Sequence, residues 1–313
     1  MVRGRTAVDK PLPADHNGAS SEPFLDLSVI IVNWNTRDDV GRCLHSLEGA
    51  APGLRVEVVV VDNGSRDGSA RLVARRFPWV RLLALRANLG FARGNNLALA
   101  HTTGRYRLLL NPDTLVHGDA LAQLVAYADS QPRVGLLGPR LLNPDGSLQA
   151  SCRRFPTVSA LLFRNTPLGT LFPRNPWARS YLMESDDHEA PRDVDWLSGA
   201  CLLARAEMIA EIGALDERFY MYVEDMDWCR RAHDAAWRVS YLPSAVVTHA
   251  VGRSSDQRPL AMLRAHHVSM WHYVRKHHGL AAALAAAPLL AARVAAQRVF
   301  APWLSARRAR SSG

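Results

Sequence analysis

Glu57-Val58-Val59-Val60-Val61-Asp62-Asn63-Gly64-Ser65 is an uninterrupted apolar run that ends in an acid and a turn. Successive β-branched residues with no polar alternation read as a strand buried on both faces, the habit of a parallel sheet covered by helices. A second run, Tyr106-Arg107-Leu108-Leu109-Leu110, stops at Asn111-Pro112-Asp113, because proline cannot donate to a central ladder. In an open α/β sheet, ligands bind outside the carboxyl ends of the strands, so Asp62 and Asp113 face a ligand rather than the core.

Outward from these runs, strand and helix patterns alternate as in βαβ units. Residues 27–32 form a strand, and Val40, Cys43, Leu44 and Leu47 recur at helical spacing. The turn 62–65 suits a cap on the helix carrying Leu72, Val73 and Phe77, which Pro78 stops. A strand over 80–85 leads to the glycine- and asparagine-rich loop 88–96, and Leu121, Leu124, Val125 and Ala128 mark a further helix. Residues 143–191, rich in Pro, Asn, Arg and aromatics, form a long, partly ordered excursion of the kind that lids or lines a site. Order returns with a strand over 194–203, a helix over 206–212 closed by Gly213, a helix over 225–236, and short strands over 237–241 and 245–248. His249 ends the last of these.

The bulk composition is that of an ordinary globular chain: 313 residues, 48% hydrophobic and 21% charged. The longest uncharged apolar run, 280–292, falls short of the roughly 18 residues a bilayer span needs and contains Pro288. Residues 1–24 are polar and lack the apolar core of a signal peptide, so they read as a disordered leader. Cys43, Cys152, Cys201 and Cys229 are scattered without a CxxC pair, which argues for reduced thiols and against a disulfide framework or zinc knuckle. The net charge of +9 resides after residue 256, where Arg258, Arg264, Arg275, Lys276, Arg293, Arg298, Arg307, Arg308 and Arg310 stand with no acid among them. The body therefore balances to zero. Such a basic tail, with Gly279 to Leu304 expected to form interfacial helices broken at Pro288 and Pro302, suits an anionic membrane surface or nucleic acid. The neutral body and the few aromatics of the tail weigh against a specific nucleic-acid binder.

Each chemical motif has a structural and a functional reading. Asp62-Asn63-Gly64-Ser65 is either an Asx turn or a carboxylate that accepts from the ring N–H of a pyrimidine nucleotide. The loop Asn88-Leu89-Gly90-Phe91-Ala92-Arg93-Gly94-Asn95-Asn96 is either a tight strand-to-helix turn or a phosphate cradle at a helix N-terminus. It does not fit G-x-G-x-x-G, and Asn33-Trp34-Asn35-Thr36 stands where a nicotinamide dehydrogenase carries its glycines. Asp113 projects from a rigid strand end, which suits a ligand to a hard divalent metal. Tyr222-Val223-Glu224-Asp225-Met226-Asp227 packs three acids into the first turn of a helix. Asp225 could serve as a general base while Glu224 and Asp227, on a different face, orient neighbours or pair with Arg230 and Arg231. His249 gains credibility as a metal ligand beside two strand-end acids, while His266, His267, His277 and His278 read as solvated or interfacial.

Together these motifs, with Val-Ile-Ile-Val-Asn-Trp-Asn at 29–35, Leu-Asn-Pro-Asp at 110–113 and Asp-Trp-Leu-Ser-Gly-Ala at 195–200, resemble the family-two inverting glycosyltransferases, in particular their rhamnosyltransferase-like branch. The resemblance runs from Leu27 to Ser255. It implies a GT-A, Rossmann-like α/β fold: a mixed, mostly parallel sheet flanked by helices, with a basic helical extension. The implied division is a GT-A domain over 25–256, with a nucleotide-sugar half at 25–130 and an acceptor half at 131–256, followed by the tail 257–313. It implies that Asn33, Asn35, Asp62, Asn88, Gly90, Asn95, Asn96, Asn111 and Asp113 serve the donor, a dTDP- or UDP-sugar. Asp195, Trp196, Gly199 and Glu224 would serve the acceptor and sugar side. Asp225 would be the base, and Asp113 with His249 would hold Mg²⁺ or Mn²⁺. Asn111 replaces the first acid of the family's Asp-x-Asp motif, which lowers the expected metal affinity. The implied reaction moves a sugar, rhamnose by the branch, to a polyprenyl-diphosphate-linked or glycan acceptor at the inner face of the plasma membrane. With no second carboxylate placed as a nucleophile, a single displacement with inversion is expected. A catalytically inactive nucleotide-sugar-binding module is the alternative that Asn111 leaves open.

Overall fold

The computed structural model describes residues 25–157, 171–172, 175–183, 187–251, 257 and 259–311. The expected leader and part of the 143–191 excursion lie outside the described residues.

Eleven strands are described: β1 Leu27–Asn33, β2 Val56–Asp62, β3 Arg81–Ala84, β4 Tyr106–Leu110, β5 Thr114–Val116, β6 Val134–Leu142, β7 Cys152–Arg153, β8 Arg192–Asp193, β9 Trp196–Leu197, β10 Cys201–Arg205 and β11 Arg238–His249. The described helices are α1 Arg37–Leu47, α2 Ser69–Arg76, α3 Phe91–Leu99, α4 Ala120–Ser130, α5 Pro176–Tyr181, α6 Ala206–Ile212, α7 Glu224–Asp234 and α8 Pro259–Ser311. The main sheet runs β3-β2-β1-β4-β10-β6-β11-β5, with β8 also paired to β11. β3, β2, β1 and β4 are parallel, β10 lies antiparallel between β4 and β6, and β11 runs parallel to β6.

The alternating direction of strand side chains splits the apolar runs cleanly. Val29, Ile31, Val58, Val60, Leu108 and Leu110 face one layer, packed with Val40, Leu44 and Leu47 of α1 and Leu121, Leu124 and Val125 of α4. Ile30, Val59, Val61 and Leu109 face the other, with Met208 of α6 and Trp228, Cys229 and Ala232 of α7. This is the expected α/β fold with helices on both faces. All four cysteines are free and buried, and burial pushes the Cys43 thiol up to about 12.

The structure corrects three expected elements. The strand expected over 194–203 is interrupted: β9 pairs with β7 in a small separate sheet, the chain turns at Gly199-Ala200, and β10 enters the main sheet. The two strands expected over 237–248 are one, β11, whose register shifts between Leu242 and Val246, around Pro243. The helical tail is described as helical through Pro288 and Pro302, and its non-helical residue is Gly279, at φ 85° and ψ 171°. Glycine takes that left-handed conformation without a Cβ penalty, whereas neither proline interrupts the assigned helix.

α8 is fastened to α7 by a small core of Phe219, Val223 and Met226 against Met270, Tyr273 and Leu290. Beside it, fully buried Asp227 accepts from His277 Nε2 at 2.7 Å, Lys276 Nζ at 2.8 Å and Arg231 Nε at 2.9 Å. Lys276 also reaches Asp216 at 2.8 Å. His277, expected to be solvated or interfacial, is thus part of a largely buried network. Burial opposes ionisation of Asp227, but the His277 and Lys276 bonds and the Arg231 charge outweigh it and hold the carboxyl below its usual range. Its stabilisation is therefore present above the unfolded pKa of about 4 and is lost as pH falls through the lower folded value. Asp227→Asn is expected to cost about 3–5 kcal/mol in urea denaturation at neutral pH, because Lys276 and Arg231 lose their anion and His277 loses its carboxylate partner. The gap to wild type should narrow on acidification below about pH 4.

Candidate active site

Strand register brings the functional residues to one edge. Asn33 pairs with Asp62 across β1 and β2, and Ile31 pairs with Leu110 across β1 and β4. These parallel strands therefore end together. β10 runs the other way, with Cys201 opposite Leu110, so its entry residues Gly199 and Ala200 reach the same edge. His249 lies opposite Thr114 on β5, immediately beyond Asp113.

At the β2 end, Asp62 is 3% exposed. Its Oδ2 accepts from Asn33 Nδ2 at 3.0 Å and its Oδ1 from Ser65 N–H at 2.9 Å. The Asx-turn reading is thus present. The turn does not cap α2, whose Ser69 N–H donates to Asp67 instead. Asn33 also accepts from Thr36 Oγ1 at 2.7 Å, and Asn35, at φ 52°, accepts from Arg66 N–H at 2.8 Å.

Asn63 points the other way and clamps the 88–96 loop. Its Nδ2 donates to Asn88 Oδ1 and to the Gly90 carbonyl, and its Oδ1 accepts from Leu89 N–H. Gly90 sits at φ +91°, where an added Cβ would lie 2.6 Å from the Tyr220 carbonyl oxygen. Only glycine fits that approach. Phe91 N–H donates to the same carbonyl at 2.8 Å, so the loop closes against the segment preceding α7. Asn95 bonds back to Phe91 O within α3, and Asn96 ties α3 to Leu215 and Glu217.

Beyond β4, Asn111 N–H donates to the Ala200 carbonyl at 2.8 Å. Asn111 Nδ2 lies 3.3 Å from His249 Nε2, and Asp113 Oδ1 lies 3.3 Å from the same nitrogen. The ring is oriented by Gln149. Its Nε2 donates to Asn143 Oδ1 and to the His249 carbonyl, which leaves its Oε1 to accept from His249 Nδ1 at 2.8 Å. His249 Nε2 and Asp113 Oδ1 then present electron pairs to one small space, an arrangement a cation satisfies. Among the described residues no cluster of three or more His, Cys, Asp or Glu side chains forms a metal cage.

α7 opens with two consecutive left-handed residues, Tyr222 at φ 67° and Val223 at φ 71°. For a β-branched valine this is strained. The bend buries Glu224 at 5% exposure and leaves Asp225 partly exposed. Asp225 accepts from Gly199 N–H at 2.9 Å and from Met226 N–H at 2.8 Å. Glu224 Oε2 is buried with no hydrogen-bond partner. Burial, then the neighbouring Asp225 charge, pushes the Glu224 carboxyl well up. Burial also raises Asp225, opposed by the Gly199 and Met226 N–H groups. Burial with no donor therefore opposes ionisation of Glu224 more strongly than that of Asp225, which two N–H groups support. Gly199 and Ala200 are consecutive, so the acid of α7 and the Asn111–Asp113 turn are held to one short segment. Asp195 accepts from Phe155 N–H, and Trp196 Nε1 donates to Arg154 O under the Arg153 guanidinium, so both brace the wall beside Asp225.

A cleft of about 410 Å³ opens at the Asn111–Asp113 turn, lined by Trp34, Asn63, Asn88, Gly90, Asn111, Asp113, Tyr220, Tyr222 and His249, with Ala261, Met262 and Ala265 of α8 on its far side; Asp195, Trp196, Gly199, Glu224 and Asp225 stand outside this lining. That volume suits a small-molecule ligand. Of the expected donor residues, Asn88, Gly90, Asn111 and Asp113 line it. Asn33, Asn35, Asp62, Asn95 and Asn96 stand behind the wall with polar atoms engaged in the bonds above.

The sequence matches the Glycosyl transferase family 2 profile over residues 28–199, more than half the chain. The chain belongs to glycosyl transferase family 2. An N-acetylglucosaminyl-diphospho-decaprenol L-rhamnosyltransferase of Mycobacterium tuberculosis is 35% identical over 266 residues, which cover 80% of this chain and 85% of the relative. Rhamnosyltransferase WbbL of Escherichia coli K12 is 24% identical over 238 residues, 71% of this chain and 82% of WbbL. Among solved structures, the mannosyltransferase PcManGT of Pyrobaculum calidifontis, in complex with GDP-Man and Mn²⁺, aligns at TM-score 0.54 and 18% identity over 93% of this chain and 81% of that one. This likeness speaks to the fold, which is the GT-A type expected.

This family 2 site contains residues the sequence reading passed over. Asn63 and Trp34 stand inside quoted motifs, and alternation at the strand end could have singled out Asn63 once Asp62 pointed away. Gln149 lies in the irregular excursion, and Ala261, Met262 and Ala265 are small or apolar helix positions that carry no local signal. Two outcomes are expected. Gly90→Ala should lower the melting temperature measured by calorimetry, because both its φ and its Cβ conflict with Tyr220. In ¹⁵N–¹H NMR, His249 should show the Nδ1–H tautomer in wild type and a mixture in Gln149→Leu, which leaves Nδ1 without its acceptor.

Proposed function

We propose that this family 2 member is an inverting, divalent-metal-dependent glycosyltransferase that moves a sugar, rhamnose as the best reading, from a dTDP- or UDP-sugar to a hydroxyl of a polyprenyl-diphosphate-linked or glycan acceptor. The observation that carries the reading is the convergence of Asp113, His249 and Asp225, far apart in sequence, on one sheet edge. The names of the rhamnosyltransferase relatives support the sugar and the lipid-linked acceptor. The reading puts the enzyme at the inner face of the plasma membrane, in cell-surface glycan synthesis.

Asp113 and His249 would hold Mg²⁺ or Mn²⁺, which when bound neutralises charge developing on the departing diphosphate. Asn111 contributes a neutral amide where the family motif carries an acid, so the chain itself offers one carboxylate to the cation. The Leu89, Gly90 and Phe91 N–H groups are taken by Asn63, Asn88 and Tyr220, so the Asn88–Gly90 loop shapes the donor side of the cleft and does not itself donate to the phosphates, and the nucleoside lies along Trp34 toward the Asp62 turn. Asp225, its charge held by two backbone N–H groups, removes the proton of the attacking hydroxyl. Asp195, Trp196 and Gly199 shape the acceptor side, and burial disfavours a second negative charge on Glu224 next to the base. One in-line displacement inverts the anomeric centre.

Asp225→Asn is expected to lower turnover about 10²–10⁴-fold while the melting-temperature rise caused by the donor with Mn²⁺ persists. The raised Asp225 carboxyl should set the acid limb of the kcat profile above the usual carboxylate range, activity falling as pH drops through it. Retention of donor configuration in the product, read by NMR, overturns the single displacement. A wild-type protein that binds donor but turns over none of several sugar nucleotides with lipid-linked acceptors would favour an inactive binding module.

A further inference from the structure

The Pro259–Ser311 helix does more than close the cleft. Its first arm carries a stripe of Leu260, Arg264, Val268, Trp271 and Arg275, spaced as one helical face. Leu260 is 61% exposed and Val268 46%. Arg264 and Arg275 are exposed, and the Arg275 guanidinium lies over the Trp271 ring at 5.4 Å. The opposite face, with Met270 and Tyr273, is buried against the body. Past the bend at Gly279, Leu280 and Leu284 repeat the pattern, Leu284 at 61% exposure. Between the arms runs a groove of about 230 Å³, walled by Val268, Trp271, Ala287, Leu290 and Val294, with Arg264 at its edge.

An apolar face of this kind needs an occupant, and charge selects it. Residues 257–313 contain nine Lys or Arg and no Asp or Glu. Lys276 is engaged by Asp216 and Asp227, but Arg264 and Arg275 stand on the apolar stripe itself. Leucines exposed next to arginines, on a segment whose sequence from 257 to 313 carries no acid, fit a surface that is hydrocarbon beneath and anionic above. Among the described residues no helix is long and apolar enough to cross a membrane, so the contact is one of lying on the surface. The same arm lines the cleft with Ala261, Met262 and Ala265, on a different face from the stripe.

We propose that the two arms of the C-terminal helix, through the Leu260–Arg275 stripe, the exposed Leu280 and Leu284 and the groove between the arms, form a docking surface for an anionic phospholipid bilayer. The surface holds the mouth of the cleft against the lipid headgroups, within reach of an acceptor whose anchor stays in the bilayer. Docking itself is independent of the reaction proposed above, and only the benefit to a lipid-linked acceptor rests on it.

The test is flotation of the full chain with vesicles of phosphatidylcholine alone or with about one third phosphatidylglycerol, which requires no turnover. Wild type should float with the anionic vesicles, weakly with the neutral ones, and should be released by high salt. Arg264→Glu with Arg275→Glu should lower partitioning at least about tenfold, since each basic residue near the surface contributes a several-fold factor. Leu260→Glu with Leu284→Glu should reduce it by a similar amount, with melting temperatures near wild type to show that the variants fold. Equal flotation with both vesicle types, no flotation of folded wild type, or variants that float like wild type overturns the proposal. So does binding to neutral vesicles only when an isoprenoid diphosphate is added, which would make the groove a site for that one lipid.

Discussion

The backbone of two consecutive residues, Gly199 and Ala200, bears the geometry of this site. The Gly199 N–H holds the Asp225 carboxylate and the Ala200 carbonyl holds the Asn111 N–H. They can do so because β10 enters the sheet antiparallel beside β4, so that its first residues meet the last residues of β4. A parallel strand in that place would arrive from the opposite edge and leave the α7 acids without a tether to the Asn111–Asp113 turn. Backbone groups in a sheet cannot relax independently of the core, so the separation between Asp225 and the Asp113–His249 pair is set by packing and not by flexible side chains.

The left-handed pair Tyr222-Val223 belongs to the same constraint. A regular helix start there would carry Glu224 and Asp225 in directions fixed by the helix alone. The strained bend turns Tyr222 toward the cleft and Glu224 into the core, and the packing of Val223 with Phe219, Met226 and Met270 compensates for its unfavourable φ. Burial then separates two adjacent carboxyls chemically: one is starved of hydrogen-bond donors and the other is supplied with two.

Much of this was legible in the chain. The β-branched and leucine-rich runs gave buried parallel strands, and their ends gave the ligand edge, because period-2 alternation and the proline at 112 are local facts. The acidic start of α7 and His249 at the end of β11 were visible for the same reason. Interruption of the 194–203 run was not, since it depends on a partner strand, β7, that lies in irregular sequence. The Asp62 turn could be read for its shape but not for its partners: whether its oxygens meet a ligand or Asn33 and Ser65 is decided by a strand register spanning almost thirty residues. Gln149 had no signature at all, because its role comes from a fold that carries it to a histidine 100 positions away. The tail was misjudged at its prolines for a related reason, as intrinsic helix breaking competes with packing against α7, and the bend falls at the glycine, where it meets least steric resistance.

The four thiols carry a practical consequence. Each is sealed in the interior, and at neutral pH a group such as Cys43, displaced to about 12, holds almost no reactive anion. The native protein should therefore be nearly silent toward maleimide or mild oxidants. A single engineered cysteine at the rim of the cleft or on either arm of the last helix would then stand out as the sole point of labelling, and a fluorophore attached there could follow closure or surface contact against a dark background.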